Sequence, residues 1–214
     1  GHGADGNEFI GVRQLTAGAM KLAIAICVLI MLSAGSASAA TWQPSQGHAQ
    51  VRLWPSEPAT PDSEAVGPAQ KNVGGRPWIY VSKVSRPTLT VYRPQGRNTG
   101  AAMLVFPGGG YEILAIDLEG TEICDWLTSK GITAVLVKYR VPHNGPNWDR
   151  PRGAYRNTGS SMALEDAQRA ISVVRSHAAE WKIDPHKIGV IGFSAGGHIV
   201  ASVSTRLASL ALLM

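Results

Sequence analysis

The stretch that most limits what this chain can fold into lies near its end. The short apolar run Gly189-Val190-Ile191-Gly192 gives way, through Phe193-Ser194-Ala195-Gly196-Gly197, to the helix-like run His198-Ile199-Val200-Ala201-Ser202-Val203. A β-branched run, then small residues, then helical spacing predicts a strand that turns sharply into a helix, with Ser194 at the apex. A turn this tight forces its central residue into strained backbone, which is tolerable only if the neighbours lack bulk. The strain pushes the Ser194 hydroxyl outward. The helix that starts there directs its free N–H groups and positive dipole end at any negative charge developing nearby.

Gly192-x-Ser194-x-Gly196 in that setting is the pattern of a nucleophile elbow, and Ser194 is the candidate nucleophile. A free serine hydroxyl is weak and needs a base to take its proton. A second motif, Phe106-Pro107-Gly108-Gly109-Gly110-Tyr111, directly follows the continuous apolar run Ala101–Phe106. Successive glycines at a strand end let the backbone turn its N–H groups toward one point. That is the requirement of an oxyanion hole, whose donors lie about 3 Å from the oxygen that becomes charged. The partner donor is the N–H after the nucleophile, that of Ala195. A phosphate-binding loop is the rival reading, but no Lys-Ser/Thr follows the glycines and the Gly-x-Gly-x-x-Gly spacing is missing.

The two motifs together resemble those of α/β-hydrolase esterases, nearest the secreted acetylxylan-esterase-like branch related to hormone-sensitive-lipase-type carboxylesterases. Lys138-Tyr139-Arg140, Glu165-Asp166-Ala167-Gln168-Arg169-Ala170-Ile171 and Trp181-Lys182-Ile183-Asp184-Pro185 add to the resemblance, which runs from about Trp78 to Leu207. It implies Ser194 as nucleophile, Gly109, Gly110 and Ala195 as oxyanion donors, and Tyr111 and Glu112 at the lip of the substrate pocket. It implies hydrolysis of short acyl esters, acetyl esters of plant polysaccharide among them, through an acyl-enzyme and without a cofactor or metal. A peptidase or broad carboxylesterase of the same fold, and a non-catalytic fragment or binding module, are the alternatives.

The chain departs from that family after Ser194. The triad order is Ser, then Asp or Glu, then His. Beyond Ser194 the sequence has no acidic residue, and His198 is its only histidine. Three further strands are expected in such enzymes, so the sequence reads as truncated, with its C-terminal strands missing. Without its triad partners a serine keeps only the 10³–10⁴-fold or so over water that the oxyanion hole and binding supply. The elbow strand is then expected to be an exposed sheet edge prone to self-association. Other chemistry-bearing residues read as structural. Asp166 and Arg169, at helical spacing, suggest a surface or helix-to-loop ion pair. His143 and His177 precede the nucleophile, and His198 reads as a packing histidine.

The rest of the chain alternates strand and helix. Trp78–Val81 and Thr88–Tyr92 are expected to pair antiparallel at a sheet edge. Then come strand Ala101–Phe106, helix Leu118–Lys130, strand Ile132–Tyr139, a polar surface loop Val141–Ser161, an amphipathic helix from about Ser161 to Ala179, strand Lys187–Gly192 and a helix from Ala195 to about Leu207. This alternation predicts an α/β fold with a mainly parallel sheet covered by helices on both faces. Residues 76–214 are expected to form the N-terminal portion of that domain and 40–75, rich in Pro, Ser and Gly, a flexible arm pinned to the body by Val51–Pro55. Residues 20–39, with Met20-Lys21, the apolar Leu22–Leu32 and an Ala37-Ser38-Ala39 end, read as a signal peptide, implying a secreted or periplasmic protein with no stable membrane span after cleavage. Residues 1–19 read as translated upstream sequence or a cloning scar. Cys27 lies inside the apolar core of the leader, and Cys124, the one cysteine after it, reads as a packing residue. The net charge of +5 comes from scattered basic residues rather than a stripe, which argues against nucleic acid as a partner.

Overall fold

The computed structural model describes residues 41–56, 63–67, 70–71, 75–141, 148–149, 151, 153–155 and 157–211. The expected leader and upstream segment therefore lie outside the described residues. Twelve strands are described: β1 (Ala49–Arg52), β2 (Ala65–Val66), β3 (Gln70–Lys71), β4 (Pro77–Trp78), β5 (Val81–Ser82), β6 (Thr88–Tyr92), β7 (Ala102–Phe106), β8 (Ile113–Leu114), β9 (Thr133–Lys138), β10 (Trp148–Asp149), β11 (Ala154–Tyr155) and β12 (Ile188–Gly192). Three α-helices join them: α1 (Glu122–Ser129), α2 (Asn157–Ser176) and α3 (Ala195–Ala211).

The central sheet has the order β1-β6-β9-β7-β12. β9, β7 and β12 are mutually parallel, β6 runs against β9, and β1 runs against β6. All six residues of β9 are buried, and its apolar centre Ala134–Val137 is what a strand covered on both faces demands. From β7 the chain crosses through α1 to β9, and from β9 it returns through α2 past β7 to β12. Right-handed crossovers taken in opposite directions put α1 and α2 on opposite faces. The loops after β7 and β12 therefore open side by side at the carboxyl edge of the sheet, where open α/β sheets bind their ligands. The register makes this concrete: Phe106, the last residue of β7, is the Cα partner of Gly192, the last residue of β12.

Several expectations need correction. Residues 40–75 are not simply a loose arm. β1 from this segment is an edge strand of the central sheet, Leu53 is buried in the core, and Glu64 is buried against Lys138 Nζ and the backbone N–H of Trp42. Alternating apolar residues at Val51 and Leu53 carried this signal, but the surrounding Pro and Ser masked it. β6 does not pair with the Trp78–Val81 segment. It lies between β1 and β9, while β4 and β5 pair with β3, β2 and β8 in small ribbons. The expected helix Leu118–Lys130 opens with a π-helical turn over Asp117–Thr121 before α1. Helix α2 begins at Asn157, inside the expected loop, and ends at Ser176. Residues 142–147 of that loop lie outside the described residues.

α1 forms because Cys124 and Leu127, three apart, bury one face against the sheet, while Glu122 and Asp125 suit the positive end of its dipole. It stops at Gly131, whose φ of +77° reverses the chain. β12 is the other edge of the central sheet, and each of its five residues is only half-buried. No described helix is long and apolar enough to cross a membrane.

Candidate active site

Ser194 has φ +48°, in the left-handed region, and is exposed. Space dictates the glycines around it. A Cβ on Gly192 would stand 2.4 Å from the carbonyl carbon of Gly196, and one on Gly196 would stand 2.8 Å from the Pro107 oxygen. The elbow and the glycine loop after β7 are thus in backbone contact. Phe193 N–H donates to the Phe106 carbonyl at 3.1 Å, and a Cβ on Gly108 would lie 3.0 Å from the Ser194 Cβ.

The direction of each amide in the glycine loop follows from peptide planarity, because the C=O of one residue and the N–H of the next point opposite ways. The Pro107 carbonyl accepts from the Tyr139 hydroxyl at 2.6 Å, so the Gly108 N–H faces away and donates to Glu119 Oε2 at 2.8 Å. The Gly108 carbonyl accepts from Ala115 N–H, and the Gly109 carbonyl from Glu112 and Ile113 N–H. These bonds turn the N–H groups of Gly109 and Gly110 away from the 112–115 turn. Neither has an acceptor among the described residues, and nor does the N–H of Ala195, the first residue of α3. Ala195 is fully buried. Buried amides are rarely left unpaired in folded proteins. The buried Ala195 amide and those of the half-buried Gly109 and Gly110 come from two loops that adjoin beside one exposed hydroxyl, an arrangement that could receive an oxygen gaining negative charge.

Sequence reasoning brought Ser194, Gly109, Gly110 and Ala195 into one place, and the structure has them in adjoining loops. Tyr111 is not exposed at a pocket lip but lies buried in the wall of a cavity. Its φ is +62°, and its hydroxyl shares a 2.7 Å hydrogen bond with His198 Nδ1. The resemblance implied a place at the lip, but the loop folds the ring inward against Tyr139. Glu112 is half-buried. Its carboxylate reaches toward Gly110, with Oε1 3.9 Å from where a Cβ on that glycine would sit. His198 is exposed rather than packed inside. Tyr111 and His198 line one side of a cavity of about 400 Å³, with Ser161, Leu164, Gln168 and Ser202 on α2 and α3.

Glu119, Tyr139 and His198 are the groups that sequence reading missed as part of the site. Each hydrogen-bonds a group of the loop from Pro107 to Tyr111, and a single sequence carries no signal for such contacts between distant residues. Asp166 does make a helix-to-loop ion pair, with Arg140 just past the end of β9, but it is buried rather than at the surface. The buried Asp166 accepts from Arg140 Nε at 3.0 Å, Arg140 N–H at 2.8 Å and Trp54 Nε1 at 2.8 Å. Arg169 instead donates to the Leu53 carbonyl and lies over the Trp54 ring. His177 stacks on Trp181, and His143 lies outside the described residues. No described side chain hydrogen-bonds the Ser194 hydroxyl. Among the described residues no cluster of three His, Cys, Asp or Glu could hold a metal ion.

Comparison with known proteins agrees with this geometry. The BD-FAE family model matches residues 153–210. An acetylxylan esterase of Xylanibacter ruminicola is 36% identical over 127 residues, covering 59% of this chain and 23% of that protein. An ethyl acetate hydrolase of Pseudomonas putida is 28% identical over 124 residues, covering 56% of this chain and 35% of that protein. Among solved structures, an acetyl ester-xyloside bifunctional hydrolase from Caldicellulosiruptor lactoaceticus superposes with a TM-score of 0.51 at 32% identity, covering 74% of this chain and 47% of that one. The chain is similar in sequence to α/β-hydrolase esterases and shares their fold. It spans less than half the length of each of these relatives.

Proposed function

We propose that Ser194 is the nucleophile of an ester hydrolase that takes short acyl groups, acetyl foremost, from a carbohydrate alcohol. The observation that carries the reading is the set of three amides without an acceptor among the described residues, Gly109, Gly110 and Ala195, in the two loops that meet beside the exposed hydroxyl. In the first step the Ser194 oxygen adds to the ester carbonyl as its proton passes to a base. The carbonyl oxygen becomes an oxyanion held by those amides. Collapse expels the alcohol, which takes up the proton, and leaves an acyl-serine. Water repeats the addition and releases the acid. Each oxyanion donor of this kind is worth about 10²–10³ in rate.

The proposal gives the base role to none of the described histidines: His198 Nδ1 is engaged by Tyr111, and His177 lies against Trp181. The acid and base are expected to follow Ser194 in chain order. The carbohydrate part of the reading draws on the named activities of the relatives, and the proposed secreted or periplasmic location on the Met20–Ala39 pattern alone. The test is a fluorophosphonate probe followed by peptide mass spectrometry. Attachment at Ser194, lost in Ser194→Ala, supports the proposal. An unlabelled Ser194 in folded protein contradicts it and favours a non-catalytic module.

A further inference from the structure

Two of the three amides come from the loop after β7 and the third from the helix after β12. Backbone contact joins the two loops at one end, through Phe193 N–H and the Phe106 carbonyl. The far end of the glycine loop is held within itself by the N–H groups of Glu112, Ile113 and Ala115, and Gly109 and Gly110, with φ of +135° and +64°, carry no side chain that could link it to the elbow. We propose that the hydrogen bond between the Tyr111 hydroxyl and His198 Nδ1 is the tie between them, and that His198 is a positioning residue for the amides of Gly109 and Gly110.

The argument rests on placement. Tyr111 directly follows Gly110 and is itself in the left-handed region, where a bulky residue persists only if its surroundings hold it. Its ring is buried edge-on against Tyr139, whose hydroxyl fixes the Pro107 carbonyl at the loop's other end. Its hydroxyl reaches His198, on the first turn of α3, at 2.7 Å. His198 N–H donates to the Ser194 carbonyl at 3.0 Å. Through one peptide group and one side chain, the nucleophile's own residue is therefore joined to the residue after the last glycine. Swinging Gly110 away from Ala195 would break the Tyr111–His198 bond. His198 contributes no proton to the chemistry in this account. It fixes where two donors stand relative to a third. The inference deepens the ester-hydrolase reading and depends on it for its catalytic meaning, though the tie itself does not.

Hydrogen exchange of the loop amides, read on peptides spanning 106–113 of the whole chain, tests the tie without requiring turnover. Tyr111→Phe and His198→Ala should each raise exchange there about threefold to tenfold, the worth of one hydrogen bond. His198→Asn should restore protection, because its Oδ1 falls where Nδ1 stands and can accept the same hydroxyl. Ser202→Ala, on the wall of the same cavity, should leave exchange unchanged. Fluorophosphonate labelling of Ser194 should then slow by a similar factor in the maximal rate, with the probe's half-saturating concentration little altered, and recover in His198→Asn. Wild-type exchange in His198→Ala would overturn the proposal, as would an equal rise in Ser202→Ala or a failure of His198→Asn to rescue. If wild-type Ser194 takes no label while exchange behaves as stated, the tie stands and the ester-hydrolase reading falls.

Discussion

Gly196 and Gly197 are neighbours in the first turn of α3, and the account separates them sharply. A Cβ on Gly196 would stand 2.1 Å from the Phe106 carbonyl oxygen, whereas one on Gly197 would meet nothing nearer than the Gly192 oxygen at 3.3 Å. An unstrained carbon–oxygen contact is about 3.3 Å or more, so Gly196→Ala must push the helix start from the end of β7 by about 1.2 Å. Overpacking of this kind costs about 1–3 kcal/mol. Loss of the Phe193-to-Phe106 hydrogen bond adds about 1 kcal/mol. Alanine's better helix propensity returns at most about 1 kcal/mol. The net loss is about 1–3 kcal/mol. The same shift moves Ala195 away from Gly109 and Gly110, and a misplacement near 1 Å can cost about 10²-fold in rate. Gly197→Ala has the same propensity gain without the collision, so its stability should lie within about 1 kcal/mol of wild type. Urea unfolding followed by tryptophan fluorescence gives the stabilities, and fluorophosphonate labelling gives the site. Equal stability and labelling in the two variants would refute the steric account of the elbow.

Other outcomes follow from the same geometry. Lys138→Met should destabilise by about 3–5 kcal/mol, because it leaves the Glu64 carboxylate buried without its cation; adding Glu64→Gln should recover most of that in urea unfolding. Burial pushes the Cys124 thiol well above the ordinary range. Cys124 should therefore resist a thiol reagent at mildly alkaline pH and react only as the protein unfolds, and its rapid modification in the native state would contradict its place on the buried face of α1. The half-buried edge strand β12 predicts concentration-dependent association in analytical ultracentrifugation, and a monomer throughout the accessible range would count against it.

The site was more legible than the scaffold around it. Glycines forced by backbone contact leave a fixed spacing, so Gly192, Ser194 and Gly196 could be read directly, and so could the loop from Gly108 to Gly110. The buried strands β7 and β9 announce themselves by the apolar runs Ala102–Phe106 and Ala134–Val137. β1 did not, because a four-residue edge strand needs little hydrophobic signal when a neighbour supplies its pairing. Tyr111 was misjudged for a related reason. Its burial depends on Tyr139 and His198, which lie far along the chain, and no local pattern encodes that. The same holds for Glu119, which captures the Gly108 amide and so leaves the next two for the site.

The central claim is that the amides of Gly109, Gly110 and Ala195 converge on one point beside the Ser194 hydroxyl. A crystal structure of the protein carrying a phosphonyl group on Ser194 tests it most directly. The account predicts the phosphoryl oxygen within about 3 Å of all three nitrogens. A phosphoryl oxygen turned to solvent, with those amides bonded elsewhere, would contradict it.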